Sequence, residues 1–166
     1  MRRERGPYRY RRLQVLDGAD NDAYRPGAKP RGPMQCPRCG LAFRKGRWVR
    51  AAVPPGAAQR HCPACRRTEE NIPAGYITLG GDFFRARRAD VLARVKHCEA
   101  EQSADHPLER IMRIEDGAHH TLVTTTSVHL ARRIGHALRM AFKGDLNLSY
   151  NRQDNLLRVR WSRALD

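Results

Sequence analysis

The chain has 166 residues, of which 32 are Lys or Arg and 17 are Asp or Glu, so its formal net charge at pH 7 is +15. This length suits one domain or two small ones. So large a positive charge favours a polyanionic partner, nucleic acid before an anionic membrane surface, over a merely basic and soluble surface. No apolar run approaches the ~20 residues of a transmembrane helix, and no hydrophobic segment follows the basic N-terminus, so we expect neither a membrane span nor a secretory signal.

Residues 1–33 have no apolar periodicity and are interrupted by Pro and Gly, which predicts a flexible arm. The arm carries nine basic and four acidic residues, and its arginines alternate with Tyr8, Tyr10 and Tyr24. Such a segment can neutralise phosphate and stack on unpaired bases. A solvated arm without a fixed partner is the alternative. The candidate RNA contacts in the arm are Arg9, Arg11 and Arg12.

Four cysteines occur in two matched pairs, Cys36-Pro-Arg-Cys39 and Cys62-Pro-Ala-Cys65. A C-x-x-C turn aims two sulfurs at one point, and two such turns complete the tetrahedral four-thiolate site that is typical of structural zinc. We therefore predict one Zn²⁺ bound by Cys36, Cys39, Cys62 and Cys65. Two disulfides or a thiol redox site are the alternatives. A site closed by four cysteines has no open position for a substrate, so its role would be structural.

Residues 34–75 are predicted to form a zinc ribbon with a strand and turn between the two cysteine pairs. Basic residues are concentrated there and directly after the last cysteine. Trp48 has two interpretations, as a packing residue of a small core or as a stacking platform for a base. The candidate nucleic-acid contacts of this segment are Arg44, Lys45, Arg47, Trp48, Arg50, Arg66 and Arg67.

Residues 76–166 show a helix, two strands, a second helix and two further strands. The order α-ββ-α-ββ predicts a small α+β domain in which both helices cover one face of an antiparallel sheet. Cys98 shares a helical face with Val91 and Val95, so we interpret it as a core residue. The candidate contacts of this domain are Arg132, Arg139 and Lys143 on the second helix and Arg158 and Arg160 on the outer face of the sheet.

Catalytic motifs are missing from the sequence. No phosphate-binding glycine loop is present, and the adjacent carboxylates Glu115-Asp116 precede Gly117 in what reads as a turn. His119-His120 would point to opposite sides of a strand. We therefore expect no enzymatic activity and no small-molecule substrate. Four cysteines at metal-ligand spacing suit a reducing cytoplasm.

A family resemblance rests on Cys36-Pro-Arg-Cys39, Cys62-Pro-Ala-Cys65 and the segment His106-Pro107-Leu108-Glu109-Arg110-Ile111. Over residues 34–162 the chain resembles a family of small bacterial zinc-ribbon proteins of unassigned function. The paired cysteines with Gly46-Arg47-Trp48 between them also resemble, more distantly, the zinc region of the archaeal and eukaryotic adaptor for export of the large ribosomal subunit. That second resemblance implies contact with a ribosome or with ribosomal RNA.

These observations together predict a cytoplasmic, non-enzymatic zinc-ribbon protein that binds RNA or the ribosome. A DNA-binding regulator and a zinc-ribbon adaptor between proteins are the two alternatives. No helix-turn-helix pattern is recognisable, which makes sequence-specific reading of duplex DNA the weaker of these.

Overall fold

The computed structural model describes Tyr24 and residues 31–165. The predicted arm therefore lies outside the described residues, apart from Tyr24 and residues 31–33. The described part contains nine strands and four helices. In chain order they are β1 (Met34–Gln35), β2 (Ala42–Arg44), β3 (Arg47–Val49), β4 (Ala58–Gln59), α1 (Pro63–Glu70), β5 (Gly75–Gly80), α2 (Asp82–Ala86), α3 (Arg88–Asp105), β6 (Ile111–Asp116), β7 (His120–Thr125), α4 (Val128–Phe142), β8 (Asp145–Asn151) and β9 (Leu156–Ser162).

The first sheet is small and contains the strand and turn predicted between the cysteine pairs. Its order is β3-β2-β1-β4. Lys45 and Gly46 join β2 to β3 with φ angles of 49° and 81°, and two positive φ angles are characteristic of the tight type I′ hairpin turn. Behind the turn, the rings of Phe43 and Trp48 meet edge-to-face with their centroids 5.4 Å apart. We call β1 through α1, residues 34–70, the ribbon.

The second sheet has five strands in the order β6-β7-β5-β9-β8. The alternation pattern predicts only four strands, all antiparallel, and this prediction is wrong in two respects. Gly75–Gly80 forms an additional strand at the centre of the sheet, and that strand pairs antiparallel with β7 but parallel with β9. The sheet is therefore mixed. We call residues 75–162 the α/β unit.

The core of the α/β unit lies between the sheet and helices α3 and α4. Leu130, Ile134 and Leu138 of α4 are fully buried against the strands, and Val95 and Cys98 of α3 join the same apolar cluster. The burial predicted for Cys98 is confirmed. The strand residues that alternate with the buried ones are exposed on β8 and β9, so the helices leave the other face of the sheet open.

Of the two helices that the sequence predicts in this unit, the second agrees with the structure at both ends and the first does not. Ser127 begins α4 as its N-cap, with its side chain accepting a hydrogen bond from the His129 N–H, and Gly144 follows the helix with a φ of 86°. The sequence predicts an N-cap at Thr126 or Ser127 and an end at Gly144, and the structure agrees with both, with Ser127 as the cap. The first predicted helix is instead two helices, α2 and α3, separated at Arg87. Helix α1 has no counterpart among the predicted elements.

The mixed α+β class is confirmed by these two sheets and four helices. In the part of the chain that the structure describes, none of the helices combines the length and the apolar character needed to cross a membrane.

Candidate metal centre and nucleic-acid interface

The four predicted zinc ligands come together in space. The sulfurs of Cys36, Cys39, Cys62 and Cys65 all lie within 4.8 Å of one another, and those of Cys39 and Cys62 are 3.7 Å apart. A disulfide would bring two sulfurs to about 2.05 Å, whereas a tetrahedral site with Zn–S bonds of about 2.3 Å places them about 3.8 Å apart. The four free thiols therefore fit one tetrahedral metal ion and do not fit two disulfides.

Local structure orients each cysteine pair. In the first turn, the Gly40 N–H donates to the Cys36 carbonyl at 2.9 Å, and Gly40 has a φ of 76° that favours glycine. In the second, the Cys62 sulfur is the N-cap of α1 and accepts a hydrogen bond from the Cys65 N–H at 3.4 Å. Pro63 opens that helix, where a missing N–H costs nothing. Both turns thus direct backbone N–H groups toward sulfur.

Backbone donors favour the thiolate form of Cys36, whereas burial raises the pKa of Cys62 and that of Cys65. Burial raises the pKa of Cys36, but N–H groups of Cys62, Cys39 and Arg38 outweigh that effect and lower the pKa to about 6. The Cys62 N–H reaches the Cys36 sulfur at 3.4 Å. Because the thiolate is the form that binds metal, this arrangement suits a thiolate-ligated cation such as Zn²⁺.

Arg110 is a part of this centre that the sequence does not reveal. Its Nη2 donates to the sulfurs of Cys39 and Cys62 at 3.3 and 3.6 Å, and its Nη1 donates to that of Cys65 at 3.6 Å. Arg110 is half-buried, and although burial alone would lower its pKa, the neighbouring sulfurs raise it above the usual value. It lies 45 residues from the nearest cysteine ligand in the chain, so no local spacing connects them.

The tip of the ribbon presents three exposed cations. Arg44 and Arg47 pair across the end of the hairpin, and Lys45 occupies its turn. All three side chains are exposed, and none of them forms an ion pair with any residue that the structure describes. The rigid two-residue turn therefore holds a cluster of three unneutralised positive charges at one end of the ribbon.

Two other predicted contacts in the ribbon are buried. Trp48 is 8% exposed and packs on Phe43 in the ribbon core, which favours the packing interpretation over base stacking. Arg67 is 6% exposed, lies over the ring of Tyr24 at 4.3 Å and donates to the Ile72 carbonyl at 3.1 Å. Because burial removes Trp48 and Arg67 from solvent, neither is available to an RNA on this surface. Tyr24 is itself buried and hydrogen-bonded to Glu70.

Arg50 and Arg66 are exposed or half-exposed but already have partners. Arg50 donates to the carbonyls of Ser103 and Ala104 at 2.6 and 3.3 Å, at the C-terminal end of α3. Arg66 lies 3.8 Å from the Glu70 carboxylate. These two side chains are therefore weaker candidates than those of the tip. The contacts predicted for Arg9, Arg11 and Arg12 lie outside the described residues.

Helix α4 carries a second group of predicted contacts on its outer side. Arg132, Arg139 and Lys143 follow one another at spacings of seven and four residues, with His136 between the two arginines, and none of the three forms an ion pair within the described part of the chain. Burial, Arg132 and Arg139 together hold the pKa of His136 below its usual value. Burial is the largest of these causes, and the two arginines add to it because a positive charge disfavours the imidazolium form.

The open face of the second sheet carries Arg158 and Arg160 together with an aromatic ring. Both arginines are exposed, and the Arg158 guanidinium lies 5.7 Å from the ring centroid of Tyr76 on the adjacent strand. Asn147 and Ser149 of β8 lie opposite the two arginines. The sequence predicts a polar, basic face that is poor in aromatic residues, and Tyr76 adds one ring to it from the strand that the pattern missed.

Unlike the cations of the ribbon tip, the arginines of α2 and of the start of α3 are paired with carboxylates. Arg85, Arg87 and Arg88 each form an ion pair with a carboxylate, on Asp82, Asp90 and Asp116 respectively. The hydrogen bond that the Asp116 carboxylate accepts from Thr121, followed by its ion pair with Arg88, holds the pKa of Asp116 below its usual value. Of the cations without a counter-ion within the described residues, those predicted to contact nucleic acid lie on the ribbon tip, at α4 and on the open sheet face, and Arg60, Arg94, Lys96 and Arg133 also lack an ion pair within these residues.

The described residues contain no second group of three or more Cys, His, Asp or Glu side chains placed to share a metal. His61, next to Cys62, points its Nδ1 at Glu69 at 2.9 Å and is not a fifth ligand.

A groove of about 770 Å³ runs between the ribbon and the α/β unit, with Trp48 and Arg47 on one side and Leu108 and His129 on the other.

Comparisons with protein-family models, with curated proteins and with solved structures found no match to this chain.

Proposed function

We propose that this chain is a cytoplasmic zinc protein that binds RNA, associates with ribosomes or ribosomal RNA, and catalyses no reaction. The observation that supports RNA binding best is the distribution of unneutralised charge. Among the residues predicted to contact nucleic acid, eight have exposed or partly exposed side chains and neither a carboxylate nor a carbonyl partner in the described chain: Arg44, Lys45, Arg47, Arg132, Arg139, Lys143, Arg158 and Arg160.

Charge without a counter-ion is what a phosphate backbone attracts. A protein cation that replaces condensed counter-ions on a nucleic acid gains free energy by releasing them, whereas a cation already paired with Asp or Glu must first lose that partner. The ion-paired arginines of α2 and α3 are therefore poor phosphate ligands. The free cations of the tip, α4 and β9 are good ones.

Single-stranded or looped RNA suits the open sheet face better than duplex DNA does. Tyr76 is half-exposed there beside the Arg158 guanidinium, and stacking on an aromatic ring requires an unpaired base. No helix-turn-helix pattern is recognisable in the sequence, which disfavours a protein that reads duplex DNA in the major groove.

The metal in this proposal is one structural Zn²⁺ held by Cys36, Cys39, Cys62 and Cys65. When bound, the Zn²⁺ would link the two cysteine turns through four Zn–S bonds and so stabilise a ribbon whose apolar core is small. The cysteine residues themselves orient the two turns and leave no ligand position for a substrate. Free thiols at metal spacing suit the reducing cytoplasm.

Native pull-down from cytoplasm, with and without ribonuclease, tests the partner. Recovery of ribosomal RNA and its proteins that is lost on ribonuclease treatment is the expected result. Capture that survives nuclease and high salt would instead identify a protein adaptor, and preference for duplex DNA over structured RNA at equal salt would identify a DNA-binding protein.

A pair of matched variants tests the surface. Changing Arg44, Lys45 and Arg47 to Ala removes three free cations, and changing Arg85, Arg87 and Arg88 to Ala removes three ion-paired ones. Both variants lose the same formal charge. Weakened RNA binding by the first and near-normal binding by the second is expected. Equal weakening would show that net charge alone attracts RNA and that these surfaces are not a site.

A further inference from the structure

We propose that Arg110 is a functional member of the metal centre: its guanidinium binds the metal–thiolate cluster as a counter-ion and thereby fixes the ribbon to the α/β unit. Metal binding would then be coupled to the arrangement of the two parts of the protein. This role is independent of RNA and would hold whatever the partner of the basic surface is.

The geometry supports a direct interaction with both cysteine pairs. The two terminal nitrogens of Arg110 contact Cys39 of the first pair, at 3.3 Å, and Cys62 and Cys65 of the second, each at 3.6 Å. These distances are suitable for N–H···S hydrogen bonds, which are longer than those to oxygen because sulfur is larger. A planar guanidinium with five donors can serve several acceptors at once, which a lysine ammonium on a flexible chain does less well.

The rest of Arg110 is held in place by the α/β unit. Its Nε donates to the Pro107 carbonyl at 2.8 Å, and its backbone N–H donates to the Thr126 hydroxyl at 2.9 Å. The Thr126 N–H in turn donates to the Arg110 carbonyl at 2.9 Å, and its hydroxyl donates to the Leu108 carbonyl at 2.7 Å. Thr126 directly follows β7, so the position of the guanidinium is fixed by the second sheet. Little side-chain freedom is left to lose when the sulfurs bind it.

The negative charge of the metal–thiolate cluster explains why a cationic side chain is needed beside it. Four thiolates around a divalent cation carry a formal charge of −2, and three of the four cysteines are buried. A buried negative cluster is costly unless a counter-charge and hydrogen-bond donors accompany it. Arginine supplies both and stays protonated at any physiological pH.

Other contacts also join the ribbon to the α/β unit without donating a hydrogen bond to a ligand sulfur, although the apolar cluster that Leu108 joins includes Cys36, Cys62 and Cys65. Leu108 packs against the apolar cluster of the ribbon, and Arg50 donates to the carbonyls at the end of α3, where the helix dipole favours a positive charge. Among these contacts, that of Arg110 is the one that donates hydrogen bonds to the ligand sulfurs. It therefore makes the orientation of the ribbon tip relative to α4, and the width of the groove between them, sensitive to the metal.

Zinc release from the full-length protein tests the proposal. Transfer of Zn²⁺ to a chromophoric chelator is measured for wild type, Arg110→Met, Arg110→Lys and the control Arg60→Met, whose exposed side chain lies in the ribbon but contacts no sulfur. Loss of groups around metal ligands typically costs about 10- to 100-fold in affinity, so we expect about that acceleration for Arg110→Met. A smaller effect is expected for Arg110→Lys, and a change below about twofold for Arg60→Met. Equal rates for wild type and Arg110→Met, or equal acceleration by Arg60→Met, would overturn the proposal.

A double-mutant cycle separates charge recognition from simple packing. Cys39→His keeps a zinc ligand but replaces a thiolate with a neutral imidazole at the shortest Arg110 contact. If Arg110 recognises the cluster charge, Arg110→Met accelerates zinc release less in the Cys39→His background than in wild type. An identical effect in both backgrounds would show that Arg110 acts only as a packing residue.

Hydrogen exchange gives a readout of docking that needs no variant in the metal ligands. In the zinc-loaded wild type we expect protection of residues 107–111 and 43–49, with loss of protection at both in zinc-loaded Arg110→Met and a smaller loss in Arg110→Lys. If either segment stays fully protected in Arg110→Met, Arg110 does not fix the ribbon. Because these measurements contain no RNA, they remain decisive even if the proposed RNA binding is disproved.

Discussion

Gly135 of α4 lies so close to Val159 of β9 that a Cβ atom on the glycine would be 2.7 Å from the valine Cγ1. The same atom would lie 3.0 Å from Cδ1 of Leu146 on β8. Real Cβ atoms do not approach other carbons so closely. The backbone of α4 therefore packs directly against side chains of β8 and β9 at this point. This contact is possible because glycine has no side chain.

The first prediction is that Gly135→Ala destabilises the protein. A glycine inside a helix normally costs about 1 kcal/mol relative to alanine, so propensity alone predicts stabilisation. Overpacking a filled core costs about 1–3 kcal/mol, and we expect it to outweigh the propensity gain by about 1 kcal/mol in urea unfolding. Gly80→Ala is the control, because its Cβ would meet nothing closer than 4.0 Å. A more stable Gly135→Ala protein would contradict the close approach.

The second prediction concerns metal content. Purified wild type should contain one zinc per chain, and Cys62→Ser should retain none after exposure to a chelator, because three ligands do not complete the tetrahedral site. Cys98→Ser removes a buried cysteine outside the cluster and should leave the zinc content unchanged. Elemental analysis of the three proteins measures this directly. Full zinc content in Cys62→Ser would disprove the four-cysteine assignment.

The third prediction concerns salt. If the free cations contact phosphates, the logarithm of the RNA affinity should fall linearly with the logarithm of salt concentration, with a slope near −0.7 per contact on single strands. Changing Arg132, Arg139 and Lys143 to Ala should therefore make the slope shallower by about 2. Titrations at several salt concentrations measure it. An affinity independent of salt would mean that the +15 charge serves solubility and not binding.

The fourth prediction concerns Tyr76. Base stacking on an aromatic side chain contributes about 1–3 kcal/mol, so Tyr76→Ala should weaken binding of single-stranded RNA by about 5- to 150-fold. The salt slope should not change, since no phosphate contact is lost. Tyr76→Phe keeps the ring and should bind normally. An unaffected Tyr76→Ala protein would exclude the open sheet face from the binding surface.

The elements that the sequence predicts well are those whose signals are local. Ser127 and Gly144 bound α4 on both sides, and the strands β8 and β9 follow a clear two-residue alternation. Gly75–Gly80 has only six residues and begins and ends in glycine, so it resembles a loop. Tyr76, Ile77 and Thr78 are residue types that favour a strand, but the position of this strand at the centre of the sheet depends on pairing with β9, some 80 residues later, and no local pattern carries that information.

The same distinction applies to the site. The four cysteines are predictable because metal ligands in a knuckle are neighbours in sequence. Arg110 is not predictable, because the sheet brings it to the sulfurs from a distant part of the chain. Burial of Trp48 and Arg67 is also invisible in sequence, since long amphipathic side chains occur both in small cores and on surfaces.

The pairing of β5 with β9 has a consequence for biosynthesis. The two strands at the centre of the larger sheet come from its first and last segments, Gly75–Gly80 and Leu156–Ser162. While a ribosome is still making β8, one edge of β5 has no partner, and Val159 and Trp161 are not yet present to complete the core. The ribbon, in contrast, is complete once α1 has emerged and can bind its metal during translation. We expect the nascent chain to fold in two steps, with the second delayed until β9 has emerged, so that a premature stop before β9 would leave the central strand β5 without one of its two neighbours.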